Sequence, residues 1–112
     1  MMSIAALESV VDVPASKITI TVRPDHIDRG APRASHLCPV ALAIAERFGV
    51  SSRAVAIFKR HAVILWSVDD HDSVDLPEKV VAFIDDFDAH RHVQPLSFEL
   101  QLRWARAREA PP

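Results

Sequence analysis

The feature of the sequence that most limits the possible folds is a run of alternating apolar and polar residues from Pro95 to Trp104. The apolar side chains at every second position are Leu96, Phe98, Leu100, Leu102 and Trp104. Successive side chains of a β-strand point to opposite faces, so this period of two predicts a strand with one buried face. Residues Lys17 to Arg23 repeat the pattern over a shorter span, and Pro24 ends it. Two half-buried strands are therefore predicted, one near each end of the chain.

Two amphipathic helices are predicted between these strands. The first begins at Cys38 and Pro39, where a proline in the first turn loses no hydrogen bond, and Gly49 ends it. The second begins near Leu76. Its apolar stripe, at helical spacing, consists of Val80, Phe83, Ile84 and Phe87.

Two central strands are predicted at Arg53–Lys59 and Ala62–Val68, joined by a turn at Arg60 and His61. The acidic stretch Asp69–Asp75 is predicted to be a loop. The resulting order is strand, helix, strand, strand, helix, strand, which is the βαββαβ series of a ferredoxin-like α+β sandwich. In that fold two helices cover one face of a four-stranded antiparallel sheet.

The 112 residues suit a single domain. We expect a loose leader at residues 1–16, one α+β domain at residues 17–105 and a frayed tail at residues 106–112. No apolar run is long enough for a membrane span, and the start of the chain lacks the basic region of a signal peptide. The single cysteine, Cys38, excludes an internal disulfide, and an unpaired thiol without a targeting segment favours the cytoplasm.

The net charge of −2 hides an uneven distribution along the chain. The stretch from Lys17 to Arg60 has a net charge of +5, whereas the stretch from Asp69 to Asp88 has −7. These stretches either attract each other within the fold or leave an acidic surface for a basic partner. The candidate interaction residues on that surface are Asp69, Asp70, Asp72, Asp85, Asp86 and Asp88.

Three of these carboxylates, Asp85, Asp86 and Asp88, stand near the predicted C-terminal end of the second helix. The helix dipole is negative there, so each one is destabilising by roughly a few tenths of a kcal/mol. Residues placed where the local structure disfavours them are candidates for a functional role. The alternative is that these aspartates are ordinary exposed residues. The stretch Asp69–Asp72 offers oxygen donors to a divalent ion but lacks the EF-hand pattern, which favours a solvated loop.

A second candidate site consists of His26, His36 and Cys38. Zinc needs three or four ligands, and here the spacing matches no zinc pattern and the fourth ligand is missing. Cys38 also stands at a predicted helix N-terminus, where the dipole favours a reactive thiolate, with His36 as its base. The alternative is that the Cys38 sulfur packs as a small hydrophobe. We predict no cofactor and no enzymatic activity.

Trp66 and Trp104 are large anchors of the kind that protein interfaces use. Aromatic residues on a sheet face can also stack nucleic-acid bases, and Phe58 and Trp66 lie on the central strands. However, the chain has no Arg/Lys-Gly-aromatic box and no overall basic charge. Protein contact through the sheet, including a homodimer, is therefore favoured, and a nucleic-acid-binding sheet is the alternative.

Two pairs of segments resemble small uncharacterised proteins of actinobacterial genomes and their phages. One pair joins Asp25–Gly30 (DHIDRG) with Cys38–Ile44 (CPVALAI), and the other joins Leu76–Asp88 (LPEKVVAFIDDFD) with Val93–Leu100 (VQPLSFEL). The resemblance spans roughly residues 17–102. It implies a phage or mobile-element accessory protein and transfers no catalytic residue.

Taken with the acidic stretch, this resemblance leads us to expect a non-catalytic interaction module. Its partner would be a host protein with a basic, nucleic-acid-binding groove, which the acidic surface would inhibit by charge mimicry. The alternative is a small metal- or thiol-dependent protein centred on His26, His36 and Cys38.

Overall fold

A computed structural model describes residues 16–102 of the chain. The predicted leader and tail lie outside this range, except for Ser16, at which the first strand begins. Trp104 also lies outside it. Within residues 16–102, no helix combines the length and the apolar character that a membrane crossing requires.

The described part of the chain is α+β, as predicted. Its strands are β1 (Ser16–Val22), β2 (Val55–Phe58), β3 (His61–Ser67), β4 (Asp70–Asp75) and β5 (Leu96–Leu102). Its helices are α1 (Pro24–Arg29), α2 (Pro39–Phe48) and α3 (Glu78–Asp88), with a short 3₁₀ helix at Ser52–Ala54.

The strands form two antiparallel sheets instead of the predicted four-stranded one. β1 pairs with β5, from Ser16 opposite Leu102 to Val22 opposite Leu96. β2, β3 and β4 form the other sheet with β3 in its centre. A ferredoxin-like sandwich would join the outer strands to the central hairpin, but among the described residues β4 occupies the second edge of β3.

The stretch that we predicted to be a loop, Asp69–Asp75, instead contributes β4. Its only buried apolar residue is Val74, and Asp70 and Asp72 are half-buried at alternate positions on the same face as Val74. Carboxylates at these inward positions conceal the alternation of a strand from sequence analysis. The turn before β3 lies at Lys59 and Arg60, one residue earlier than predicted.

One apolar core joins both sheets to α2 and α3. The predicted alternation of β1 is confirmed, because Ile18, Ile20 and Val22 are buried while Thr19 and Thr21 are exposed. The largest buried aliphatic side chains with no exposed surface are Ile20, Ile44, Ile64 and Leu100. Burying each of them contributes roughly 1.5–3 kcal/mol before the entropy of ordering is subtracted.

The loop before α2 covers the outer edge of β2. The backbone N–H of Ile57 donates to the carbonyl oxygen of Ser35 at 3.0 Å. The His36 ring, through Nδ1, donates to the carbonyl oxygen of Val55 at 2.8 Å. These contacts satisfy edge groups that would otherwise be free to pair with another strand.

Candidate functional site

A cluster of charged side chains joins α1 to α2 around His26, and we call Arg23, Asp25, His26 and Glu46 the His26 clamp. The Arg23 guanidinium bonds both oxygens of Glu46, at 2.7 and 2.9 Å. It also bonds both oxygens of Asp25, at 2.9 and 3.2 Å. Because Arg23 precedes α1 and Glu46 lies in α2, the clamp fixes the position of the short helix against the longer one.

The His26 ring is the buried centre of the clamp, with 1% of its surface exposed. Its Nδ1 accepts a hydrogen bond from the backbone N–H of Arg23 at 2.9 Å. This assigns the proton of the neutral ring to Nε2, which donates to Glu46 Oε1 at 2.8 Å. Both ring nitrogens are therefore engaged within the fold, and neither has a lone pair directed to solvent.

The clamp also changes the acidity of its members. Hydrogen bonds from Arg23, and then from His26, lower the pKa of Glu46 from 4.5 to about 2. Hydrogen bonding from Arg23 is also the main reason that the pKa of Asp25 falls to about 2. The same bonds, above all that to Glu46, raise the pKa of Arg23 beyond its already high value. The clamp thus consists of charges that stabilise one another.

The predicted metal candidates His26, His36 and Cys38 are not brought together. Histidine, cysteine and carboxylate side chains can all ligate a metal ion. In the described part of the chain, the only three whose ligand atoms lie within 4.8 Å of one another are Asp25, His26 and Glu46. These three already bond the Arg23 guanidinium or one another. A metal ion at this position would lie beside a fixed positive charge, so we interpret the clamp as structural.

His36 and Cys38 have separate roles in the loop and the start of α2. His36 is exposed and its ring bonds the edge of β2, as described above. Cys38 is buried, with 3% of its surface exposed, and burial raises the pKa of its thiol to about 11. The backbone N–H groups of Val40 and Ala41 lower that pKa, as expected at a helix N-terminus, but burial has the larger effect.

An open cavity of about 450 Å³, which we call the α3 pocket, lies where the loop, the end of β2 and the end of α3 meet. Its floor consists of the buried side chains of Cys38, Ile57 and Ile84. Its charged lining residues are Arg33, Lys59, Asp85 and Asp88. Phe58, which is 47% exposed, also lines it. The pocket therefore unites Cys38 with two of the predicted interaction residues, Asp85 and Asp88.

The three carboxylates at the end of α3 differ in what they contact. Asp86 forms an ion pair with Arg91 at 2.9 Å. Asp88 accepts a hydrogen bond from the backbone N–H of Arg33 at 2.8 Å, and the Arg33 guanidinium donates to the Asp88 carbonyl at 3.1 Å. A cation at a helix C-terminus is favourable, so these contacts offset the unfavourable carboxylates. Asp85 is exposed and forms no side-chain hydrogen bond or ion pair among the described residues.

The acidic residues of the β3–β4 hairpin do not line the α3 pocket. Asp69 is exposed at the turn, while Asp70 and Asp72 are half-buried. Asp72 accepts a hydrogen bond from Trp66 Nε1 at 2.7 Å. Trp66 is itself half-buried and packs edge-on against Phe48 with ring centres 5.3 Å apart. Trp66 is thus held within the fold, while Trp104 lies outside the described residues.

The outward face of the three-stranded sheet is apolar on β2 and β3, whereas β4 contributes His71, Ser73 and Asp75 to it. Phe58 and Leu65 are 47% and 45% exposed, and Ala56 and Val63 are half-buried on the same face. His61 lies beside Phe58, with ring centres 5.3 Å apart. A face of this kind suits protein contact better than contact with a phosphate backbone, which requires lysine and arginine.

Sequence analysis missed Arg23, Glu46 and Lys59, and it did not foresee the contacts of His26. Arg23 and Glu46 lie 23 positions apart, and no local pattern connects them. The ring of His26 accepts from the backbone three residues earlier, as a capping-box side chain does, but histidine is not the usual residue there. Lys59 was assigned to a strand, so its place in a turn beside α3 was not foreseen.

Comparison with protein-family models, with curated proteins and with solved structures finds no match for this chain. The resemblance to actinobacterial and phage proteins therefore stays a prediction.

Proposed function

We propose that the chain is a non-catalytic protein-interaction module whose binding surface is centred on the α3 pocket. The observation that carries the proposal is an apolar floor bordered by two exposed side chains of opposite charge, Asp85 and Lys59. Neither forms a side-chain hydrogen bond or ion pair within the described residues. Pockets that combine apolar lining with a few polar groups are typical binding sites.

Two features support binding rather than catalysis. The nitrogens of His26 are occupied by Arg23 and Glu46, so this ring has no free position for general-base chemistry. The Cys38 thiol, with a pKa of about 11, is protonated at neutral pH, and a nucleophilic cysteine needs the thiolate. The residues with the most evident chemistry thus serve the fold.

The expected partner is a host protein with a basic surface, met in the cytoplasm by an accessory protein of phage or mobile-element type. Asp85 supplies the negative charge of the surface, and the C-terminal end of α3 adds its dipole to that charge. Asp85 is the centre of this surface, because Asp86 and Asp88 already have contacts within the fold and the predicted residues Asp69, Asp70 and Asp72 do not line the pocket.

Photo-crosslinking in the cells that naturally contain the protein tests this function. A photoreactive phenylalanine derivative replaces Phe58 at the pocket, or Glu99 on the exposed face of β5 as the control. We expect a discrete heavier adduct from position 58 and none from position 99. We also expect the adduct to disappear when Asp85→Lys is added. Adducts of equal yield at both positions would contradict the proposal.

A further inference from the structure

We infer that the α3 pocket binds a short segment of a partner protein in which an apolar residue lies between a basic and an acidic one. This inference rests on the proposed function and names the chemistry of the occupant. It follows from the charge complementarity of the pocket, from its apolar floor and from the rigidity of one wall.

The floor defines the centre of the segment. Cys38, Ile57 and Ile84 are 3%, 7% and 5% exposed, so only a small apolar part of each reaches the pocket, and Phe58, which is 47% exposed, adds the larger apolar surface beside them. An aliphatic side chain placed there removes apolar area from water on both partners. A charged or amide group there would lose its hydration without compensation.

The rim defines the flanking charges. Asp85 is next to the negative end of the α3 dipole, so it attracts a lysine or arginine side chain. Lys59 lies on the turn between β2 and β3 and attracts a carboxylate. The two line the same pocket and have no side-chain partner among the described residues, so a segment that carries both charges can pair with both.

One wall of the pocket is fixed before any partner arrives. Arg33 has a φ of 58°, in the left-handed region that a residue with a side chain adopts at a cost of roughly 1–2 kcal/mol. Its backbone N–H and its guanidinium both bond Asp88, and these contacts hold the conformation. A fixed wall reduces the ordering that binding requires.

A nucleic acid is disfavoured as the occupant. Its phosphates would approach Asp85 and the C-terminal end of α3, which are both negative. A second shallow pocket, lined by Lys79 and Glu99, also carries both charges. Its other lining residues are Lys17, Thr19, Ser97 and Gln101, together with Pro77 and the buried Phe98, so it is the more polar of the two pockets and serves as an internal control.

The test is a titration of the full ¹⁵N-labelled chain, followed by NMR, with the acetylated and amidated tripeptide Lys-Leu-Glu. Three matched probes replace the lysine, the glutamate or both by glutamine. We expect the amide signals of Ser35, Lys59 and Asp85 to shift. Removing either charge from the probe should weaken binding about two- to five-fold, which is the range for exposed ion pairs.

Charge reversal in the protein sharpens the test. Asp85→Lys should abolish the preference for the lysine in the probe, and adding Lys59→Glu should restore the original affinity for Lys-Leu-Glu, now bound in the opposite orientation. The control pair Lys79→Glu and Glu99→Lys should change nothing. Equal affinity for all four probes would overturn the inference, as would free leucine competing as well as the peptide, because a small zwitterion would then be the occupant.

The two proposals fail in different ways. A crosslinked partner together with indifference to the probe charges would refute the occupant and keep the interaction module. Binding of the charged tripeptide without a crosslinked partner in cells would keep the chemistry of the pocket and refute the proposed function.

Discussion

The His26 clamp and the α3 pocket use the same kinds of side chain in opposite ways. In the clamp, Arg23 bonds Asp25, His26 and Glu46, and His26 also bonds Glu46. In the pocket, Arg33 and Asp88 are bonded, but Asp85 and Lys59 are left without side-chain partners among the described residues. A charge that the fold already uses is not available to a ligand. The difference therefore separates the residues that hold the structure from those that can recognise something else.

The largest effect should come from removing the centre of the clamp. His26→Ala deletes a buried ring and leaves the Arg23 N–H and the Glu46 carboxylate without their partner. We expect a loss of about 3 kcal/mol in the free energy of unfolding, measured by urea denaturation. His71→Ala, at an exposed histidine, should stay within about 0.5 kcal/mol. Equal losses in the two variants would show that the clamp does not stabilise the fold.

Cys38 should react slowly, because it forms part of the floor and not of the rim. Its pKa of about 11, against 9.0 for a free thiol, reduces the thiolate fraction about a hundred-fold near neutral pH. Alkylation by iodoacetamide at pH 7.5 should be slower by at least that factor in the native protein than in urea. Comparable rates in both states would contradict the burial of this thiol.

The same shift gives the stability a dependence on alkaline pH. Between pH 9 and 11 the folded state keeps the Cys38 proton that the unfolded state releases, so stability should fall as the pH rises through this range. Cys38→Ala should remove this part of the slope in urea melts at a series of pH values. A slope that is unchanged in the variant would assign it to other groups.

The clamp should make stability sensitive to acid. The pKa of Glu46 is about 2 in the folded state, against 4.5 for the unperturbed carboxyl group. The contribution of ionised Glu46 to the free energy of unfolding is therefore fully present above about pH 4.5 and is lost as the pH falls toward 2. Glu46→Gln should flatten the decline in this window. Arg23→Gln should flatten it further, since Asp25 depends on the same guanidinium. An unaltered acid slope in both variants would exclude the clamp as its cause.

The smallest effect on stability should come from the pocket rim. Asp85→Asn removes a carboxylate that has no side-chain partner in the described structure. Its free energy of unfolding should stay within about 0.5 kcal/mol of that of the unaltered protein. Asp88→Asn weakens the contact that holds Arg33 and should cost about 1 kcal/mol. If Asp85→Asn were the more damaging of the two in thermal melts, the distinction between available and structural charges would fail.

Local patterns sufficed for the elements that bury one regular face. The alternation of β1 and β5 and the proline start and glycine end of α2 have direct signals in the sequence. β4 has no such signal, because Asp70 and Asp72 occupy inward positions and are half-buried by tertiary contacts. β4 pairs with the edge of β3 to which an outer strand would bind in the predicted four-stranded sheet. A strand that the sequence analysis did not detect therefore changes the sheet topology.

The sites were harder to predict than the fold, because burial and pairing are properties of the folded chain. Cys38 was correctly placed at a helix N-terminus, yet burial outweighs the effect of that position on its pKa. Asp85, Asp86 and Asp88 are nearly equivalent in the sequence, and only the positions of Arg33 and Arg91 distinguish them. The pairing of Arg23 with Glu46 depends on how α1 packs against α2.

The pairing of β1 with β5 sets an order of events during synthesis. β1 is the first described strand to leave the ribosome, and its ladder partner is the last. The three-stranded meander of β2, β3 and β4 can assemble from segments that are neighbours in the sequence. The two-stranded sheet must wait until β5 has emerged. During that interval the apolar side chains of Ile18, Ile20 and Val22 lack their final cover. Of the described strands, β1 is therefore the one most exposed to wrong pairing in the nascent chain.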